Sequence, residues 1–255
     1  MKRRKFIQAA SLTSAIPLSM TFGKASATSS LAEEKELYEL RTYEVKFGSN
    51  QSLLVNYLKD VLQPALKRTG VNHFILFSEY GMSNPSNLHV LISYPTVAIY
   101  LAGQNLQNDQ TFNSAAQEYD AIPADRPLYN RYTSSLLLAF DGLPKMNNPI
   151  EGASIFELRT YEGYSEDATR RKIKMFNVEE IDLFYKTGLH PVFFGDMISG
   201  PFRPSLVYML GFKDMEERDA NWKVFVDHPE WKRMSAKPEY ANSVSNIRRL
   251  FLQPV

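Results

Sequence analysis

The sequence predicts an α+β protein built from two tandem ferredoxin-like repeats, each β-α-β-β-α-β, packed against each other. Three observations carry that expectation. Glu39-Leu40-Arg41-Thr42-Tyr43-Glu44 returns unchanged as Glu157-Leu158-Arg159-Thr160-Tyr161-Glu162, an offset of 118 residues (39 to 157). A second marker keeps that offset, Arg68-Thr69-Gly70 against Lys186-Thr187-Gly188. The same order of strand and helix signals follows each copy. The repeat is too long for a solenoid unit and long enough for a small domain.

The chain opens on an address. Lys2-Arg3-Arg4-Lys5-Phe6 is a basic twin-arginine start, residues 6–22 are modestly apolar, and Ala25-Ser26-Ala27 supplies a small-residue cleavage pattern. Residues 1–27 are therefore expected to be a Tat-type signal peptide, with a Sec signal as the alternative and a periplasmic or otherwise exported product. Ser11, Thr13, Ser14 and Ser19 make the stretch too polar for a membrane span, which needs about 20 predominantly apolar residues. No membrane span is expected after its removal. Residues 28–35 read as a polar linker.

Repeat one is assigned residues 36–143. Its first strand alternates Tyr38, Leu40 and Thr42 with Glu39, Arg41 and Tyr43, because strand side chains point to opposite faces in turn. Leu54, Leu58, Val61, Leu62, Ala65 and Leu66 form a helical stripe, with Ser49 or Asn50 as its cap and Gly70 as its stop. Pro64 inside the stripe predicts a kink. His73 to Phe77 and Leu88 to Tyr94 read as a hairpin. A looser helical region follows Thr96, and Tyr132 to Phe140 closes the unit.

Residues 144–151 read as a linker and 152–255 as repeat two. Its helix runs over roughly 167–186 with Gly188 as the stop. Residues 192–197 and 206–212 are hairpin strands, and Asp214 with Glu217 has capping-box spacing. The next helix carries Trp222 and Phe225 and is interrupted at His228-Pro229. Residues 244–252 complete the sheet.

Composition narrows the function classes. Removing residues 1–27 takes away five basic and no acidic residues, leaving 24 of the 29 basic against 28 acidic and a net charge of −4. That is no nucleic-acid footprint, which needs a basic face. With no cysteine there is no disulfide, no Cys-ligated zinc and no thiol nucleophile. Gly-rich phosphate loops and a Gly-x-Ser-x-Gly elbow are also missing from the sequence.

Tyr38-Glu39-Leu40-Arg41-Thr42-Tyr43-Glu44, the run from Trp222 to Trp231 and the trailing Pro238-Glu239-Tyr240 together resemble the NIPSNAP family. The resemblance spans both halves from about residue 36. It implies a branch of the dimeric α/β-barrel superfamily, in which two ferredoxin-like sheets face each other; here one chain would supply both as a pseudo-dimeric α/β barrel. The first half departs from the pattern, with Asn108-Asp109-Gln110-Thr111-Phe112 where the His-Pro-Glu-Trp run would lie. The wider superfamily includes monooxygenases and haem-linked oxidoreductases, but fold does not fix function.

Two function classes follow. One is an exported protein that binds a small organic or apolar ligand in the barrel, or acts as a scaffold. The other is a monooxygenase or haem-linked oxidoreductase like others of the superfamily. No cofactor is expected from the residues, and haem enters only through that relation, with His190 as the axial candidate. The expected ligand-binding barrel lining is Glu39, Arg41, Tyr43, Glu157, Arg159 and Tyr161, pointing between the sheets; the alternative is a structural Glu–Arg pairing. His190, Trp222, His228 and Trp231 are second-tier pocket candidates, the tryptophans otherwise serving as core and His228 as a cap. The four histidines show no metal-site spacing, though His73 and His89 lie on adjacent strands. The acid pairs Glu179-Glu180 and Glu216-Glu217 read as solvated helix faces. The ligand and partners stay unnamed, and a homo-oligomer is compatible with the sequence.

Overall fold

A computed structural model describes residues 34–82 and 85–255. The signal assigned to residues 1–27, and most of the linker 28–35, lie outside the described residues. The elements run β1 (Leu37–Val45), a helix over residues 51–69, β2 (His73–Glu79), β3 (Leu88–Tyr94), helices Val97–Gly103 and Gln110–Ala115, and β4 (Tyr129–Ala139). The second half gives β5 (Ile155–Glu162), a helix over residues 166–186, β6 (His190–Ser199), β7 (Ser205–Phe212), helices Met215–Asp227 and Pro229–Ser235, and β8 (Asn246–Pro254).

All eight strands close into one antiparallel barrel in the order β1-β3-β2-β8-β5-β7-β6-β4. Each half contributes a ferredoxin-like sheet, β4-β1-β3-β2 or β8-β5-β7-β6. The seams are β2 with β8 and β4 with β6. Closure leaves no free sheet edge. The 118-residue offset is structural as well: the pairing Leu40↔Leu91 maps onto Leu158↔Met209, and the cap Thr96 onto Asp214.

Local chemistry explains the element ends. Asn50 and Ser165 cap the long helices through Leu53 N and Ala168 N. Gly70 and Gly188 follow their ends at φ of 102° and 74°, a conformation that costs glycine least. Asp214 accepts from Glu217 N, and the Glu217 carboxylate accepts in turn from Lys213 N.

The expected kink at Pro64 takes another form. A π-helical segment, Tyr57–Leu62, precedes it, and the second half has one at Phe176–Glu180 with Asp182 where the first has Pro64. The proline therefore does not cause the π-turn; it only tolerates a place after it. The linker 144–151 is also more than a tether: Met146 is buried in the barrel core, and its N–H donates to Glu36 at 2.8 Å.

Three cores result. Two lie between each sheet and its own helices, around Leu54, Leu58 and Leu88 in the first half and Phe176, Phe184 and Phe225 in the second. The third fills the lumen with Tyr38, Phe77, Leu137, Phe156, Leu158, Phe193 and Met209. The expected facing of the repeated phrase is thereby reversed. Tyr38, Leu40, Phe156 and Leu158 point into the barrel, while Glu39, Arg41, Tyr43, Glu157, Arg159 and Tyr161 face the helices. A sheet covered on both sides buries both rows, so alternation separates them without saying which goes where. The lumen takes the apolar row, and the other row finds its polar partners on neighbouring strands in the first half, Tyr94 and Ser134, and on a helix in the second, Arg218 and Trp222.

Candidate functional site

The motif residues are fully engaged where they stand. Glu39 accepts from Arg41 Nε at 2.7 Å, Arg41 Nη2 at 2.9 Å, Tyr94 OH at 2.8 Å and Ser134 Oγ at 2.7 Å. Burial alone would raise its pKa, but these donors outweigh it and hold the carboxyl below its ordinary value. Glu157 takes Arg159 Nε at 2.7 Å, Arg218 Nε at 2.9 Å and Trp222 Nε1 at 2.8 Å, with the same net lowering against burial. The Arg159 guanidinium lies 3.8 Å from the centre of the Trp222 ring. Tyr161 OH accepts from Arg159 and from Tyr208 OH at 3.0 Å. Tyr43 stacks on Tyr132 at 4.9 Å. Glu39, Arg41 and Tyr43 tie β1 to its neighbouring strands, Glu157 and Arg159 tie β5 to helix Met215–Asp227, and none of the six lines the barrel-end cavity.

The second-tier candidates scatter. His228 caps helix Pro229–Ser235, its Nδ1 accepting from Glu230 N at 3.2 Å, and Asp109 caps Gln110–Ala115 in the first half. Trp231 packs on Phe225 and borders an outer cleft of about 250 Å³ with Tyr161 and Lys172. His190 starts β6 opposite Gly211, and His73 pairs with Ser93, four positions along β2 from Phe77, the partner of His89. The expectation for Glu180 is corrected. It is buried and binds Lys172 Nζ at 2.6 Å, whereas Glu179 is half-exposed with Lys237 and Arg233.

The lumen does open at one end of the barrel. A cavity of about 210 Å³ is bounded by apolar Leu40, Leu158, Met197, Val207 and Leu250 and by polar Thr42, His89, Thr133, Ser135, Thr160 and Arg248. Wider clefts of about 490 and 380 Å³ lie beside residues 121–128, but they are outer-surface grooves holding none of the motif residues. The polar wall is organised. Thr42 and His89 face each other across β1 and β3, with Oγ1 3.0 Å from Nδ1. His89 Nε2 lies 3.3 Å from Glu79 Oε1, which also accepts from Asn87 Nδ2 at 3.0 Å. Burial lowers the His89 pKa, with Glu79 opposing, so the ring is neutral at neutral pH.

The 118-residue offset shows how unequal the two walls are. It carries Thr42 to Thr160, His89 to Val207 and Glu79 to Met197, and all three counterparts border the same cavity. The first half thus supplies Thr42, His89, Thr133 and Ser135 beside Leu40, and the second mostly apolar Leu158, Met197, Val207 and Leu250 beside Thr160 and Arg248. Sequence reasoning treated His89 as an ordinary strand histidine. The available signal was the His89/Val207 and Glu79/Met197 mismatch between otherwise similar strands. Arg248 pairs with Glu162 and lies 4.2 Å over the Phe202 ring at the mouth. No carboxylate lines the cavity.

Comparison with known proteins agrees with this architecture. The barrel is similar to that of a candidate monooxygenase from Lactobacillus acidophilus NCFM, with 10% identity, 87% of this chain and 94% of that one covered, and a TM-score of 0.57. An anthrone oxidase-like protein aligns at 10% identity over 88% and 93% of the two chains, with a TM-score of 0.51. A candidate chlorite dismutase aligns at 10% over 87% and 95%, with a TM-score of 0.50. At such identity the likeness is one of fold. No curated protein matches the chain by sequence. Residues 156–255, the second half of the barrel, match the NIPSNAP family model, and the barrel as a whole has the dimeric α/β architecture.

Proposed function

We propose that the protein binds one small organic molecule in the barrel-end cavity, with an apolar body against Leu158, Met197 and Val207 and a polar or anionic head toward Thr42, Thr133, Ser135 and Arg248. The observation that carries this reading is the cluster of Thr42, His89, Thr133 and Ser135 set opposite apolar Leu158, Met197 and Val207 in one cavity. Buried polar groups cost free energy unless something pairs with them. At about 210 Å³ the cavity is below the usual 300–1,000 Å³ of drug-sized sites. It holds roughly seven water-sized groups, each with a share of about 30 Å³, so the ligand is small. Arg248, though paired with Glu162, and the Thr42, Thr133 and Ser135 hydroxyls supply donors for a polar or anionic head.

Native mass spectrometry of the protein against short-chain and monocyclic carboxylic acids tests this. Thr160→Phe, at a half-buried wall position, should fill the cavity, weaken binding at least roughly tenfold and leave the thermal transition nearly unchanged. Equal binding by the variant would remove the cavity from the account.

The reading needs no cofactor. The space is small for a haem, and the axial candidate His190 is not among the cavity's lining residues. We further propose export, supported by Arg3-Arg4 before the apolar stretch. Replacing both with lysine should retain precursor in the cytoplasm, and unchanged export would mean another route. Among the described residues no helix is long and apolar enough to cross a membrane.

A further inference from the structure

The polar wall has the parts of a nucleophilic site. We infer that Thr42, His89 and Glu79 form a nucleophile–base–acid relay that cleaves a small ester seated in the barrel-end cavity. This rests on the cavity being a ligand site, as proposed above. A nucleophile is recognised by a base within hydrogen-bond reach that is oriented by a third group. Here Thr42 Oγ1 lies 3.0 Å from His89 Nδ1, and His89 Nε2 lies 3.3 Å from Glu79 Oε1. Asn87 holds the carboxylate from its other side. In the tautomer this line requires, the Thr42 hydroxyl donates to Nδ1 and the Nε2 proton is donated to Glu79.

Two further observations point the same way. The three groups stand on three neighbouring strands, β1, β3 and β2, so rigid elements hold their spacing. They also exist in one half only, since Val207 and Met197 occupy the equivalent lumen positions of the other. The second half closes its wall with Val207 and Met197 at these positions, without a histidine or glutamate. Burial keeps the ring neutral and able to accept a proton, and the charged groups facing it are Glu79 from β2 and, across the cavity, Arg248 from β8.

The chemistry balances with water as the only co-reactant. Thr42 Oγ bonds to the ester carbonyl carbon while its proton passes to His89 Nδ1, and the carbonyl π pair moves onto oxygen. Thr133 and Ser135 hydroxyls and Arg248 line the same space and supply donors for that charge. Collapse breaks the bond to the alkoxide, which takes the proton from His89. Water then attacks the Thr42 ester, again deprotonated by His89, and releases the acid and free Thr42. The cavity volume restricts the acyl part to a short apolar chain.

The test uses the full exported chain with p-nitrophenyl acetate and butyrate. Intact-mass and peptide mass spectrometry after a brief reaction should place an acyl increment on the peptide containing Thr42. Thr42→Val and His89→Gln should each lower nitrophenolate release by roughly 100-fold or more, whereas Thr42→Ser should retain it. Thermal melting of each variant separates loss of chemistry from loss of fold. Binding of butyrate, the acid product of the second ester, is measured alongside by native mass spectrometry. Butyrate binding without acylation of Thr42 overturns the relay and leaves the ligand reading standing. Neither butyrate binding nor acylation overturns both.

Discussion

Lys172 and Glu180 stand where the first half has Leu54 and Leu62, each 118 residues earlier. All four are buried, so one half packs an apolar pair where the other packs an ion pair joined at 2.6 Å. A buried pair gains strong attraction but loses hydration, and well-packed apolar replacements are often neutral or better. Replacing both by leucine should change unfolding free energy by between zero and about 4 kcal/mol in the stabilising direction. Lys172→Leu alone should cost about 3–5 kcal/mol, since it strands a buried carboxylate. Burial raises the Glu180 pKa above 4.5, with Lys172 and then Arg159 opposing. For an acid raised on folding, the stabilising contribution is present below the unfolded value and lost as pH rises through the folded one. Urea unfolding across pH should therefore show Lys172→Leu losing stability above about pH 4.5 more steeply than the parent. A flat difference would mean that Glu180 is not the titrating group.

At the scale of the element, the seam between β4 and β6 depends on one missing side chain. A Cβ on Gly195 would come within 2.7 Å of Leu137 Cβ and 3.5 Å of the Tyr38 ring. The first half has Phe77 at the equivalent position, packed against Phe156 at 5.0 Å. Glycine in β6 is what lets Leu137 and Tyr38 occupy the lumen next to Phe193. Gly195→Ala should push β4 from β6 and cost about 1–3 kcal/mol by overpacking, read by chemical denaturation. Pairing it with Leu137→Ala should recover part of that loss; no recovery would place the strain elsewhere.

At the scale of the molecule, neither half is complete. The second sheet alone would expose β6 and β8 as edges, and with them the lumen faces of Phe156, Leu158, Phe193, Val207, Met209 and Leu252. Open edges with an apolar face are templates for pairing. Residues 152–255 expressed alone should therefore form a homodimer with a rebuilt eight-strand barrel. Sedimentation of a stable folded monomer would contradict this. The whole chain should unfold in one cooperative step, because Met146 and the two seams bind the halves together.

Much of this was readable without coordinates. The exact return of Glu-Leu-Arg-Thr-Tyr-Glu, the caps at Asp214 and Glu217 and the stops at Gly70 and Gly188 are local signals, and local chemistry determines duplication, element order and strand count. Barrel closure had weaker support, drawn from the family resemblance. What tertiary structure alone decided was facing and company. A strand buried on both sides carries two apolar-compatible rows, and tertiary packing turned Glu39, Arg41, Glu157 and Arg159 to the outer side, where Tyr94 and Ser134 meet Glu39 and Arg218 and Trp222 meet Glu157. Glu180 looked like one of a pair of surface acids because its partner lies eight residues away across a π-turn. Thr42 lies 47 residues from His89 in sequence, and it is the antiparallel register of β1, β3 and β2 that sets Thr42, His89 and Glu79 in one line beside a cavity.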